Sequence, residues 1–470
     1  METLQRTANR GSVSTGYDID NSCKFESDNT EYLSRTPSSA SNQKTWTWSG
    51  WVKTTEPSNS AQTIWAGGTG SGDGSFNFRI DAGQITINTA STGLRETTGR
   101  FRDSSAWYHL VVAMDTTQST ADNRIKLYVN GTQITDFSGT NNPSLNADMG
   151  VNSAQLHTMG RRSNTADRYF NGYMAEIYFI DGTALTPTSF GEYDQDSGIW
   201  IPKQVTGLTF GTNGFYLDFA DGSDLGDDES GNGNDFTETN ITAADQATDT
   251  PTNNFCIGNA LVNFAPGGQT LTEGATKFTN PSGQNWQSIT GTFGLTSGKW
   301  YWEFKTNGTG AFVGIADVQD DKIPQKTDGY FLGYGDDNSS TTKSLGMYSA
   351  NGVIYNDAGS VGGASYSSSN IVGVALDMDN RKIHFAVDNT WAGSSDPANN
   401  TNGATWNTSW SDTVFPAFSC AQNNNVAVNY GGYTTISISS SANDGEYGTF
   451  EYAPPSGYYA LCTKNLAEYG

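Results

Sequence analysis

Six oxygen-bearing side chains crowd one short stretch of this 470-residue chain: Asp224, Asp227, Asp228, Asn232, Asn234 and Asp235, within SDLGDDESGNGNDF. Calcium takes six to eight oxygen ligands, and carboxylates and amide carbonyls on a glycine-containing loop are the kind it selects. Asp227, Asp228, Asn232 and Asp235 are the candidate calcium ligands. The spacing is not that of an EF-hand, and the same side chains can cap their own backbone as Asx-turns.

Hydrolysis of a glycosidic bond needs two carboxylates facing that bond. Glu176 with Asp181, and Glu303 by itself, do not fall on one strand face at such a spacing. His109, His157 and His384 are the only histidines. None adjoins a Cys or Ser in a nucleophile setting, so they read as structural. No Walker or Rossmann glycine loop occurs among the 54 glycines. The expectation is a protein that binds without catalysing. For binding, aromatic side chains in loops count most, because flat rings stack on sugar faces and anchor protein contacts. Trp391, Trp406 and Trp410 fall in or beside the loop from Asp388 to Asp412, and Tyr330 and Tyr334 flank another. These five are the candidate ligand-binding residues.

The elements that must carry these loops are strands. Ile371 to Trp391 reads as a hairpin: Val372, Val374 and Leu376 alternate on the way in, Ile383, Phe385 and Val387 on the way out, around a polar Asp379-Asn380-Arg381 turn. Leu110, Val112 and Met114, then Ile125, Leu127 and Val129, repeat the device. TWTWSGWVK alternates Trp46 and Trp48 on one face, with Gly50 allowing a bulge before Trp51. No apolar run has helical spacing over the length of a helix, and Gly/Asn/Asp turns recur. The chain is therefore expected to be all-β, with two antiparallel β-sandwich, jelly-roll-like domains in tandem. The expected boundaries are an N-terminal arm at 1–29, a sandwich at 30–204, a connecting strand and acidic linker at 205–255, and a second sandwich at 256–470.

A formal net charge of −24 repels phosphate backbones and anionic lipid, which excludes nucleic acid and membrane insertion as expected partners. Cys23, Cys256, Cys420 and Cys462 are far apart with no C-x-x-C pair, and read as buried thiols. The first twenty residues have no apolar core of the signal-peptide kind, so synthesis in a cytosol is expected.

The order of certain stretches carries a resemblance. TWSGWVK, AWYHLVVAMD, IKLYVNGTQI and MGRRSNTADRYFNGYMAEIYFIDGTALTP follow one another as in laminin-G-like (concanavalin A-like) domains, over roughly residues 30 to 200. GKWYWEFKTNG, AFVGIADV, YFLGYGDD, SLGMYSANGVIYNDAG, the 371–391 hairpin, VFPAFSCAQNNNVAVNYG and PPSGYYALCTKNL resemble a SPRY domain. Its loops are unusually rich in Asn, Ser and Gly, so SPRY binding contacts do not carry over. The pairing of these halves, with DDESGNGNDF and DTPTNNF between them, resembles virion proteins of marine bacteriophages. That resemblance implies a fibre, decoration protein or adhesin on the virion surface. It would be held to other virion proteins by the N-terminal arm, be homo-oligomeric, and bind host-surface glycan or protein. A purely structural component and a glycan-degrading enzyme are the alternatives.

Overall fold

Alternation of apolar and polar side chains builds the large sheets, each of which turns its apolar face to a partner sheet. The computed structural model describes residues 16–58, 61–261, 269–281, 286–320, 331–333, 343–356, 359–443 and 447–470. It has two compact units, the first ending at Asn253 and the second running from Asn254 to Gly470. Both are β-sandwiches whose main strand pairings are antiparallel, as the alternation predicts.

In the first unit one sheet runs, in spatial order, Thr132–Gln133, Ile125–Val129, Tyr108–Asp115, Thr45–Thr54, Gly172–Asp181, Ser22–Phe25 and Gln246–Ala247. Its partner runs Phe137–Thr140, Gly93–Thr97, Gln84–Thr89, Phe76–Asp81, Gln62–Gly67, His157–Met159, Tyr32–Arg35 and Thr237–Thr239. Between the sheets Trp46 packs on Trp65 and Phe76 at ring distances of 5.7 and 5.0 Å, and Trp48 on Phe78 at 5.2 Å, all edge to face. Each such buried ring contributes roughly 1.5–3 kcal/mol through burial.

Gly50 sits in regular register opposite Leu110, and the bulge falls instead on the neighbouring strand, between Ala175 and Tyr178. A Cβ on Gly50 would stand 2.4 Å from Ile177 Cδ1, so the glycine makes room for the bulged strand. Glu176 lies in that bulge with φ near 50°.

The stretch 205–255, expected to connect the sandwiches, supplies strands to both sheets of the first one. Phe215–Leu217 pairs with Ile177–Phe179, and Thr237–Thr239 pairs with Tyr32–Ser34. Phe215, Leu217, Phe219, Leu225, Phe236 and Ile241 join the core, so the acidic composition concealed regularly placed apolar anchors. Of the expected N-terminal arm, residues 1–15 lie outside the described residues. Ser22–Phe25 is an interior strand, with Cys23 between Met174 and Gln246.

Two buried lysines lock this arrangement. Lys53 Nζ, fully buried, meets Asp249 Oδ2 at 2.7 Å, while Trp107 Nε1 donates to Asp249 Oδ1 at 3.0 Å. Lys24 Nζ meets Glu31 at 2.9 Å and Asp245 at 2.8 Å. Asp245 and Asp249 come from the end of the unit and pair with lysines on the strands Ser22–Phe25 and Thr45–Thr54, so charge pairing seals the last segment onto the sheet.

In the second unit one sheet runs Thr270–Thr272, Lys277–Asn280, Asn424–Asn429, Lys299–Thr306, Val372–Asp377, Lys382–Val387 and Thr390–Trp391. The other runs Gln287–Thr290, Val414–Cys420, Ala311–Asp317, Ser344–Tyr348, Ile354–Asn356 and Gly359–Val361. The hairpin expected at 371–391 forms in register from Val372 opposite Val387 to Asp377 opposite Lys382. All four cysteines are buried and none forms a disulfide. Among the described residues no helix is long and apolar enough to cross a membrane.

Removing the acid of a buried pair strands its partner's charge, so Asp249→Ala is expected to destabilise the first unit by about 3–5 kcal/mol. Lys53→Met combined with Asp249→Leu is expected to recover most of that loss. Urea unfolding of the three proteins checks both; an Asp249→Ala protein as stable as the wild type would remove the pair from this role.

Candidate functional site

The strands Phe76–Asp81 and Gln84–Thr89 read FNFRID and QITINT, and their alternation decides which side chains meet the core. Phe76, Phe78, Ile80, Ile85 and Ile87 point inward and are buried. Asn77, Arg79, Asp81, Gln84, Thr86 and Asn88 take the opposite face. The register sets Thr63 beside Arg79, Arg79 beside Thr86, and Thr86 beside Glu96, with Asn77 beside Asn88. The result is a polar row four strands wide and a shorter one next to it.

These rows floor a cleft of about 410 Å³. Gly93 and Gly139 line it without contributing side chains, which leaves the space open. Thr63 Oγ1, Asn77 Oδ1, Arg79 Nε, Thr86 Oγ1 and Asn88 Oδ1 are buried and make no hydrogen bond within the protein. Leaving such an atom unpaired costs about 1–3 kcal/mol, and folded proteins rarely do it. Here five occur on one face of one sheet. Hydroxyl, amide and guanidinium groups alternate along it, offering donors and acceptors together to a ligand rich in hydroxyls.

Arg79 is the charged centre of this face. Burial, then the nearby Arg168, hold its guanidinium below the usual range, with Asp81 opposing and Arg162 adding to the effect. Its Nη2 reaches Asp81 at 3.3 Å. Arg95, also at the cleft, is a structural group: it donates to the carbonyls of Leu94, Asn141 and Ile125 and to Asn142 Oδ1. Sequence reasoning passed over this face. The signal available was six consecutive outward positions on two adjacent strands, all polar and hydrogen-bonding.

Residues 27–189 match the family model described as the Concanavalin A-like lectin/glucanases superfamily, and residues 299–433 match the SPRY domain model. The chain carries a concanavalin A-like domain followed by a SPRY domain. No curated protein matches the chain. Among solved structures it is similar to the SPRY domain of human HERC1, at 16% identity over 34% of this chain and 91% of that one, TM-score 0.25. The TRIM65 PSpry domain is similar at 11% identity over 37% of this chain and 91% of that one, TM-score 0.28. A putative carbohydrate binding protein from Bacteroides ovatus is similar at 16% identity over 48% of this chain, TM-score 0.30. This chain spans 60% of that protein.

The acidic loop of the concanavalin A-like unit caps its own backbone. Asp228, buried, accepts from the N–H groups of Tyr216 and Ser230 at 2.9 Å, from Asn234 N–H at 2.8 Å, and from Ser230 Oγ at 2.8 Å. Asp235 accepts from Asp228 N–H at 3.2 Å. Asn232 donates to the carbonyls of Gly211 and Gly214, and Asn234 to those of Thr212 and Gly214. Asp227 is pushed above the usual carboxylate range by burial and by Asp224 and Asp235. Among the described residues no group of three or more acidic, His or Cys side chains converges to hold a metal. Of the candidate calcium ligands Asp227, Asp228, Asn232 and Asp235, Asp228 and Asp235 already accept from the loop's own N–H groups, which competes with the calcium reading.

The acids considered for hydrolysis are likewise occupied. Asp181 accepts from Asn42 N–H, Asn152 Nδ2 and Asn213 N–H. In the SPRY domain Glu303, fully buried, accepts from the Glu451 and Tyr452 N–H groups at 2.9 and 2.8 Å. Glu176 receives the hydroxyls of Tyr17, Tyr178 and Tyr216. Burial is the main cause that raises its carboxyl, and the three phenols oppose the rise.

His109 and Ser49 stand 2.9 Å apart, the separation of a nucleophile and its base. Trp200 Nε1 donates to His109 Nδ1 at 3.0 Å, which leaves the ring proton on Nε2, donated to Ser49 Oγ. The ring thus has no lone pair for the serine proton, and burial lowers its pKa to about 3. His109 packs the sheet's outer face, as its structural reading predicts.

The predicted aromatic residues separate. Trp406 and Trp410 are 5% and 3% exposed and lie in the SPRY core with their rings 6.0 Å apart, so their assignment to a ligand is corrected. The loop folds them inward because they fill the sandwich end. Trp391 is half-buried against a small cluster that includes Tyr301 and Tyr458. Tyr330 and Tyr334 lie outside the described residues.

An unfolded histidine titrates near pH 6.5, so His109 adds stability above that pH and loses it as pH falls toward its folded value of about 3. His109→Gln is expected to be less stable than wild type at pH 7, with the gap narrowing as pH drops to 4. Melting temperatures at matched pH measure this; a gap that widens contradicts a neutral His109.

Proposed function

We propose that this protein is a non-catalytic adhesin or decoration protein of a phage particle. In this reading it binds host-surface glycan through the polar face of its concanavalin A-like domain. The observation that carries the reading is the set of unpaired polar atoms on Arg79, Thr86 and Asn88, which line an open cleft, with those of Thr63 and Asn77 beside them on the same sheet face. A sugar presents vicinal hydroxyls, each donor and acceptor at once, and so can pair with hydroxyl, amide and guanidinium groups in turn. The mixed floor also suits a neutral chain better than a polyanion, which a protein of net charge −24 would repel. The binding surface is thus a sheet face, where sequence reasoning expected loops.

Single contacts of this kind are weak, and a homo-oligomer displayed in many copies would raise avidity without new contacts. The paired domain resemblance supports a place on the virion surface, with residues 1–15, upstream of the interior strand Ser22–Phe25, as the attachment to other virion proteins. Removing residues 1–15 is expected to leave the soluble protein folded and abolish its incorporation into particles. Particles that still carry the truncated protein at wild-type level would end that assignment.

Arg79→Ala with Asn88→Ala is expected to weaken binding to purified host polysaccharide by at least about tenfold, with unchanged thermal stability of the SPRY domain. Binding is read by surface-immobilised polysaccharide, and release of reducing sugar is followed in parallel. Unchanged affinity overturns the site; sugar release that depends on this face replaces adhesion with hydrolysis.

A further inference from the structure

A second cleft, of about 550 Å³, opens in the SPRY domain beside the 371–391 hairpin. Its walls are the strand carrying Ile383, His384 and Phe385, the loop from Ala392 to Ala404, and Ile354 from the other sheet. His384 lines it while being 1% exposed, and both ring nitrogens lack a hydrogen bond of good geometry. Ser395, 8% exposed, also lines the cleft with Oγ unpaired. Asn400, outside the lining, engages the ring through a side-chain hydrogen bond that favours its protonated form. Gly403 closes against the imidazole: a Cβ there would come 2.7 Å from Cε1, which pins the ring flat.

The loop is held in an unusual backbone. Gly393, Ser394, Asn400 and Asn402 all have φ between 54° and 62°. Residues kept in the left-handed region persist only where their surroundings impose it, and they cluster at binding sites. Asn402 supports the shape by donating to Ser394 O at 3.1 Å, and Lys382 Nζ does so by reaching Asn400 O.

We propose that this cleft binds one neutral, polyhydroxylated residue, of the hexose or N-acetylhexosamine class, as a site separate from the polar face of the first domain. Unpaired polar atoms on His384 and Ser395 set the chemistry. A neutral imidazole offers one donor and one acceptor, of which Asn400 engages one, and Ser395 offers either. A ligand meeting both needs hydroxyl or amide groups within one ring's span. No Lys, Arg, Asp or Glu is among the lining residues, so a net charge on the ligand finds no counter-ion there. Burial, then Lys382, keep the imidazole neutral by lowering its pKa to about 4, against Asp377, Asp396 and Asn400, which raise it. Val361, exposed among the lining residues, offers an apolar contact to the C–H face of a pyranose.

With three histidines in the chain, labelling of histidine Cε1 gives a spectrum in which His384 is assigned by His384→Gln. Glucose, galactose, mannose and N-acetylglucosamine are each titrated into the full-length protein to millimolar concentration, with sodium acetate as the anionic control. A saturable shift of the His384 signal by at least one sugar is expected, with the His109 and His157 signals unmoved. Ser395→Ala is expected to weaken that response about tenfold while leaving the sugar-free His384 signal and the thermal unfolding of the SPRY domain as in the wild type, which shows that the domain is folded. Arg79→Ala with Asn88→Ala is expected to leave it intact, so failure here and failure of the polar face are told apart. No shift with any sugar, a shift indifferent to Ser395→Ala, or an equal response to acetate each overturns the site.

Discussion

A polar or charged group taken out of water has to find a partner within hydrogen-bond reach, and that requirement organises this molecule. Lys53 finds Asp249, Lys24 finds Glu31 and Asp245, and the pairs with Asp245 and Asp249 tie the end of the first sandwich to its sheet. Glu303 meets two backbone N–H groups and fastens the segment around Glu451 and Tyr452 to the second. Asp228 gathers three N–H groups and a hydroxyl, shaping a loop that looked like a metal site. The same rule makes its exceptions visible. Thr63 Oγ1, Asn77 Oδ1, Arg79 Nε, Thr86 Oγ1 and Asn88 Oδ1 lack partners on one sheet face, and the proposed glycan site rests on them.

Most of the architecture was legible in the sequence because strand periodicity is local. The hairpins at 371–391 and 107–134, the tryptophan strand at 45–54 and the order of motifs in both domains follow from neighbouring residues alone. The segment after residue 205 was misread because its polarity is an average. Six apolar residues spaced among acids and asparagines are enough to join a core, and only their long-range partners reveal it. Trp406 and Trp410 were misplaced for a related reason: a loop that folds back over a sandwich end buries its aromatic residues, while one that projects exposes them. The polar face escaped notice because its residues are ordinary one at a time. What distinguishes them is register across four strands, set by hydrogen bonds between distant segments.

The chemistry of the candidate catalytic groups also turns on context that spacing cannot show. Ser49 and His109 have the separation of a nucleophile and base, yet Trp200 fixes the tautomer that makes the serine an acceptor. Glu176 sits at a strained bulge, a common setting for function, with three tyrosine hydroxyls occupying its carboxylate. Both constellations pack the domain. The concanavalin A-like and SPRY domains fit a protein whose work is binding, and the chain's net charge of −24 disfavours anionic partners.

Hydrogen–deuterium exchange on the full-length protein, with and without purified host surface polysaccharide, tests the central claim most directly. If the polar face of the first domain is the glycan site, exchange slows along Phe76–Asp81 and Gln84–Thr89 when polysaccharide is bound. Bound polysaccharide with unchanged exchange on those two strands contradicts it.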